Sequence, residues 1–312
     1  MKQYAQVFLL ILLISSCSSA KKIAEASNYE KDLEPRSVNY NNSFAILPFT
    51  LNYTQSKCYP IIKINNSFFL LDTGNAITFI NEKGLQDLFY DSYEFVKNNF
   101  TSNADNNNFN FFIQSIGSWN IPSYSGEIKS IPFYFSDYQF DQFEGFIGED
   151  AFMQFSNVII DYKNKLIIFD GEIIKGDSIP MIIDEEGLCF IEFLCDGRKE
   201  TGLIDTGADN FVLRSTYFEK NCDFHYTTKE QIEMLKNRKI QITDHKDYSF
   251  NEIKIGKTKY KKMNGLLASD SCIKMTDEAR GRTSEYSLLG FPFFKDKIIQ
   301  LDYKNKVFRI GK

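Results

Sequence analysis

Apolar residues fall in short runs separated by turn-forming polar residues, a pattern of short strands rather than long helices. One run stands apart. VFLLILLI (7–14) follows a short positive start at Lys2. Its eight residues are far fewer than the roughly 20 a helix needs to span a bilayer, but they suit the core of a signal peptide. The following segment to residue 45 is polar and without apolar period, and reads as a flexible tether. From residue 61, IIKINNSFFLLDTGNAITFIN reads as an apolar strand, an Asn65-Asn66 turn, a second apolar strand and then Asp72-Thr73-Gly74. From residue 190, FIEFLCDGRKETGLIDTGADNFVLRS repeats that order, with an Asp196-Gly197 turn and Asp205-Thr206-Gly207. Asn-Asn and Asp-Gly are both hairpin turn chemistry.

The ends of the two halves match as well. GFIGEDAFMQFSNVIIDYKNKLIIF (145–169) parallels SLLGFPFFKDKIIQLDYKNKVFRI (287–310). Each carries two apolar residues and a glycine (Phe146-Ile147-Gly148 and Leu288-Leu289-Gly290), then an aromatic segment, a strand and the pentapeptide DYKNK. Asp72 lies 76 residues before Gly148, and Asp205 lies 85 before Gly290. Two independent markers, each seen twice in the same order, indicate a duplicated unit. The expected organisation is a signal peptide at 1–16, a tether at 17–45, a first lobe at 46–170, a connection at 171–187 broken by Pro180 and Gly187, and a second lobe at 188–312. Short helices are expected at 82–89, 150–155 and 227–238, the last with capping Thr and good helix formers. The repeated DYKNK reads as a hairpin turn between two strands.

Composition narrows the function. The chain has 312 residues, 43% hydrophobic and 25% charged, which is globular, and its length suits two domains. Thirty Phe and 17 Tyr favour strands. With 36 basic against 41 acidic residues the net charge is -5, which argues against a nucleic-acid partner. Two histidines, His225 and His245, exclude a multi-His metal site. Cys222 and His225 form a lone C-x-x-H, read as a surface loop because no partner pair has metal spacing. Five cysteines follow Cys17, an odd number; Cys222 with Cys272 is one plausible bridge, and the sequence fixes no connectivity.

The doubled D-T-G carries the chemistry. A carboxylate after a buried apolar strand needs compensation. A glycine beside it lets main-chain N–H groups come close, and a threonine hydroxyl can bond across to a partner loop. Two such loops facing each other would bring Asp72 and Asp205 together. Carboxylates roughly 3 Å apart share one proton, so one is a base for water and the other an acid for a carbonyl. That hydrolysis needs neither metal nor covalent intermediate.

On these residues each half resembles a retropepsin-type aspartic protease unit, and the fused pair resembles the bilobed pepsin-like plan over residues 46–312. The resemblance implies an all-β acid-protease fold with short helices and an active-site cleft between the lobes. It implies Asp72 and Asp205 as the catalytic pair, Thr73 and Thr206 as cross-locking residues, Gly74 and Gly207 as close-approach positions, no cofactor, and an extended polypeptide as substrate. In the second half Ala208 completes D-T-G-A; in the first, Asn75 stands where the family has Ser, Thr or Ala. The stretch 108–126, with Trp119 and Tyr124, lies in the region of the family's flap. Three functions stay open on these residues: an endopeptidase, a weak or inactive relative that binds a peptide or partner protein in the same cleft, and a surface protein that binds a host or partner molecule with an outer face. Finally, Ile14-Ser15-Ser16-Cys17 resembles a bacterial lipobox, which implies lipidation at Cys17 and a membrane lipoprotein on the periplasmic or cell-surface face. An ordinary signal peptide that contains Cys17 is the alternative.

Overall fold

The structure, a computed structural model, describes residues 45–54, 57–64, 67–88, 109–112, 130–136, 143–219, 245–269 and 286–311. The first half supplies β1 (Ala45–Pro48), β2 (Thr50–Thr54), β3 (Lys57–Ile64), β4 (Ser67–Leu71), β5 (Phe79–Asn81), β6 (Phe109–Phe112), β7 (Ser130–Ser136), β8 (Gly145–Ile147), β9 (Asn157–Asp161) and β10 (Leu166–Phe169). The second supplies β11 (Asp177–Ile183), β12 (Cys189–Cys195), β13 (Arg198–Ile204), β14 (Val212–Arg214), β15 (His245–Ile255), β16 (Thr258–Ala268), β17 (Ser287–Leu289), β18 (Ile298–Asp302) and β19 (Val307–Gly311). Described helices are short, at Glu82–Leu88, Glu149–Phe152, Thr216–Glu219 and Phe291–Phe294. The first two fall in the expected places; the second ends by Phe152 rather than residue 155, in turns that lead directly into β9. The helix expected at 227–238 lies outside the described residues, as do 1–44, Trp119, Tyr124, Cys222 and Cys272. Among the described residues no helix is long and apolar enough to cross a membrane.

Each half builds the same kernel. In the first, β4 runs parallel to β8 (Leu71 opposite Ile147), while β5 lies antiparallel to β8 and parallel to β7. In the second, β13 runs parallel to β17 (Ile204 opposite Leu289), while β14 lies antiparallel to β17 and parallel to β16. The expected mainly β fold with short helices is the fold observed, and its kernel is built twice.

The halves also share a sheet. Its order is β1-β10-β9-β18-β19-β11-β12-β13-β17-β14-β16-β15, so β9 of the first half pairs with β18 of the second. The segment 171–187, expected as a connection, contributes β11, which pairs with both β19 and β12. Buried Gln300 pins the join: its amide donates to Asn157 Oδ1 at 2.9 Å and its carbonyl accepts the Ile174 N–H at 3.1 Å. Both DYKNK segments are hairpin turns. Asp161 accepts the N–H groups of Lys163 and Asn164, Asp302 accepts that of Asn305, and the closing Lys165 and Lys306 have φ of 58° and 52°. The Asp196-Gly197 turn forms with φ of 46° and 82°, the left-handed pair that matches strand twist. The abundant phenylalanines fill the core; Phe211 meets Phe250 and Phe293 edge-on at 5.0 and 5.1 Å between ring centres.

Candidate active site

The parallel strand pair in each kernel sets one acidic residue. β4 ends at Leu71 and β13 at Ile204, and the next N–H groups, of Asp72 and Asp205, continue the ladders to Ile147 O (3.0 Å) and Leu289 O (3.1 Å). Each chain then turns sharply: Asn75 N–H donates to Asp72 O, and Ala208 N–H to Asp205 O. The glycine after β8 or β17 sits beneath that turn. A β-carbon on Gly148 would lie 2.5 Å from Ile77 O, and one on Gly290 2.5 Å from Ala208 O, so the backing element has room only for hydrogen there. The N–H groups of Glu149 and Phe291 then donate to Asn75 O (2.7 Å) and Ala208 O (2.9 Å).

The two turns lock together through threonine. Thr73 Oγ1 donates to Ile204 O and Thr206 Oγ1 to Leu71 O, both at 2.7 Å. Each hydroxyl also accepts the other threonine's N–H, at 3.1 and 3.0 Å. Both threonines are fully buried, so four backbone groups that would otherwise be buried unpaired are satisfied. The glycines face the opposite carboxyl: a β-carbon on Gly74 would stand 2.5 Å from both Asp205 carboxyl oxygens, and one on Gly207 2.5 Å from Asp72 Oδ1. The structure therefore brings together Asp72, Thr73, Gly74, Asp205, Thr206 and Gly207. Cys17 lies outside the described residues.

The paired carboxyls are in hydrogen-bond contact, and Asp72 is held well above its ordinary pKa by burial, by the charge of Asp205 and by that hydrogen bond. The Gly74 N–H (3.1 Å to Oδ1) and the Asn75 side chain pull the other way, favouring ionised Asp72. Asn75 is buried with Oδ1 on the Ile77 N–H; its Nδ2 lies near Asp72 but outside strict hydrogen-bond geometry. Asp72 thus keeps its proton above the ordinary carboxylate range, and the contacting pair titrates as a unit. Asp205 is buried and Asp72 partly open, so solvent reaches the pair from the side of Asp72.

Three acidic and polar groups behind the first loop were not singled out by sequence. Glu149 is wholly buried and accepts the Tyr303 hydroxyl of the second half at 2.7 Å. Burial pushes its pKa to about 8, against the hydrogen bond from Tyr303. Asp150 accepts the Thr78 hydroxyl at 2.6 Å and burial lifts it to about 6, while Thr78 Oγ1 accepts the Gly148 N–H. The available signal was positional: Gly-Glu-Asp follows the apolar pair in one half where Gly-Phe-Pro follows it in the other. Cys189 and Cys195 are buried, unbridged thiols, and burial raises both, Cys195 to about 12, which leaves them poor nucleophiles.

No protein-family model and no curated protein matches the sequence. Among solved structures, the chain is similar to a retropepsin-like aspartic protease from Rickettsia conorii, with 18% identity over 45% of this chain and 95% of that one, at a TM-score of 0.29. It is also similar to conglutin gamma, a basic 7S globulin of lupine seeds (9% identity, 86% and 95% covered, TM-score 0.47). The soybean basic 7S globulin gives 9% identity, 85% and 94% covered, and a TM-score of 0.42. These similar structures are thus one protease and two seed globulins.

Proposed function

We propose that the protein is an aspartic endopeptidase, held at a membrane by a lipid on Cys17, that hydrolyses an extended polypeptide bound between its lobes. The observation that carries the reading is the contact of the Asp72 and Asp205 carboxyls, each turn locked by the other half's threonine. A water between the carboxyls loses a proton to the ionised one as its oxygen attacks the peptide carbonyl carbon. The protonated one donates to the carbonyl oxygen. The tetrahedral intermediate then collapses with cleavage of the C–N bond, and the amine leaves with a proton. The fold that delivers these groups does not by itself fix the activity.

The test is cleavage of a peptide library by the purified chain and by Asp72→Asn and Asp205→Asn. Each substitution is expected to lower kcat/KM by about a thousandfold or more while the protein stays folded. Equal cleavage by wild type and both variants would refute the mechanism. A second reading rests on Asn75, whose amide occupies the fourth position of the first loop: a catalytically weak or inactive protein that retains peptide in the same cleft. Tight peptide binding by wild type with no product would favour it. Anchoring is tested separately, by loss of lipid labelling and membrane association in Cys17→Ala.

A further inference from the structure

Arg214 is among the largest fully buried side chains of the molecule, 2% exposed, yet its Nε and Nη1 have no hydrogen-bond partner. Among the described residues no carboxylate forms an ion pair with it; its guanidinium lies over the ring of Tyr286 at 5.5 Å, and only its backbone N–H donates to Ser287 Oγ. A guanidinium does not shed its proton to escape burial, and an uncompensated buried charge is strongly destabilising. The planar fork fits one class of partner best, a carboxylate held by parallel hydrogen bonds.

The position says where that carboxylate comes from. Side chains alternate along β14 and the residue before it: Phe211 and Leu213 enter the main core, while Val212 and Arg214 share the other face. On that face Val212 lies opposite Leu288, Leu288 opposite Leu203, and Ala76 of the first half packs against the cluster they form. Leu203 and Leu288 immediately precede Ile204 and Leu289, the pair that ends at Asp205. Because β14 is antiparallel to β17, Arg214 stands two residues, about 7 Å, beyond Val212 in the direction leading away from Asp205, in line with Tyr286 on that same face. The repeat sharpens the point. Arg214 is the ninth residue after Asp205, and the ninth after Asp72 is Asn81, whose side chain is engaged in accepting the Gly84 N–H at 2.9 Å. The charge is present in one half only.

We propose that Arg214 is a specificity-determining residue that receives a carboxylate of the bound polypeptide, on one side of the cleaved bond; this rests on the endopeptidase reading above. The experiment uses peptides identical except for Glu, Gln or Leu scanned through the positions flanking the cleaved bond, each made with a free or an amidated C-terminus. For wild type, Glu at a position on one side is expected to exceed Gln in kcat/KM by about ten- to a hundredfold. That ratio is expected to collapse toward one in Arg214→Met. Preference that follows the free C-terminus instead of Glu assigns the terminal carboxylate as the ligand.

Two further measurements keep the outcomes apart. Arg214→Met without ligand should melt at or above the wild-type temperature, because it removes a lone buried charge. A lowered melting temperature with no acid preference would mean that the chain supplies its own carboxylate, and overturns the proposal. The same series is run as competition binding on Asp72→Asn. Absent cleavage by wild type together with a Glu-over-Gln binding preference that Arg214→Met abolishes would refute the hydrolase but support Arg214. Cleavage without any acidic preference would refute Arg214 alone, and neither cleavage nor preference would refute both.

Discussion

The two D-T-G loops have the same backbone and different supports. Behind the first stand Glu149, Asp150 and Thr78; in the matching positions behind the second stand Phe291, Pro292 and Phe211. Asn75 follows the first D-T-G and Ala208 the second. Main-chain hydrogen bonds at the loops agree between halves to within a few tenths of an ångström. The frame is therefore a backbone property, set by the parallel strand pair and the glycine beneath the turn, and it tolerates either polar or aromatic backing. Only the first half couples that backing to proton concentration.

The largest effect on this comparison should come from the lock that the halves share. Thr73→Val and Thr206→Val each strand a buried carbonyl and a buried N–H, and each should cost about 2–5 kcal/mol in denaturant unfolding. The near-equal geometry of the two threonines requires the two losses to agree within about 1 kcal/mol; a large disparity would show that the halves do not bear the junction equally.

The next effect separates the halves. Glu149 in the folded chain holds its proton to about 8, against an ordinary value of 4.5. Its folded pKa is raised, so its contribution to stability is complete below about 4.5 and is lost as pH rises through about 8. Asp150 adds a smaller fall between 3.8 and about 6. Unfolding free energy measured across this range should decline with pH in wild type, and Glu149→Gln should flatten the upper part of the decline. An unchanged slope in that variant would remove Glu149 from the account. The smallest effect belongs to Asn75→Ala, which gives the first loop the composition of the second. The Asn75 side chain favours ionised Asp72, so its loss should move the acid limb of the activity profile upward, by less than about one pH unit. A downward move would refute that role.

The kernel of each half was legible because its determinants are local. A strand, three turn residues and, some 80 residues later, an apolar pair with glycine leave a pattern that duplication prints twice. DYKNK was legible for the same reason, its Asp closing the turn on nearby N–H groups. The shared sheet was not. Pairing of β9 with β18 joins residues far apart in the chain, and an all-apolar strand such as Val158–Ile160 shows that both faces are covered without showing by what. Glu149 and Arg214 were illegible because charge in sequence signals solvent, and each is buried by elements distant from it. The pairing of Asp72 with Asp205 was foreseen as chemistry, but the crossed bonds from each threonine to the carbonyl before the other aspartate are a fact of the assembled molecule.

Those crossed bonds span 131 to 135 residues of chain. Contacts of such long range are slow to find, since the intervening loop must close before they return any energy. Neither half alone carries both carboxyls, so a nascent chain with only its first lobe complete lacks the Asp72–Asp205 pair. The pair is assembled only when the second lobe closes on the first, so the Asp72–Asp205 contact itself marks a molecule that has finished folding.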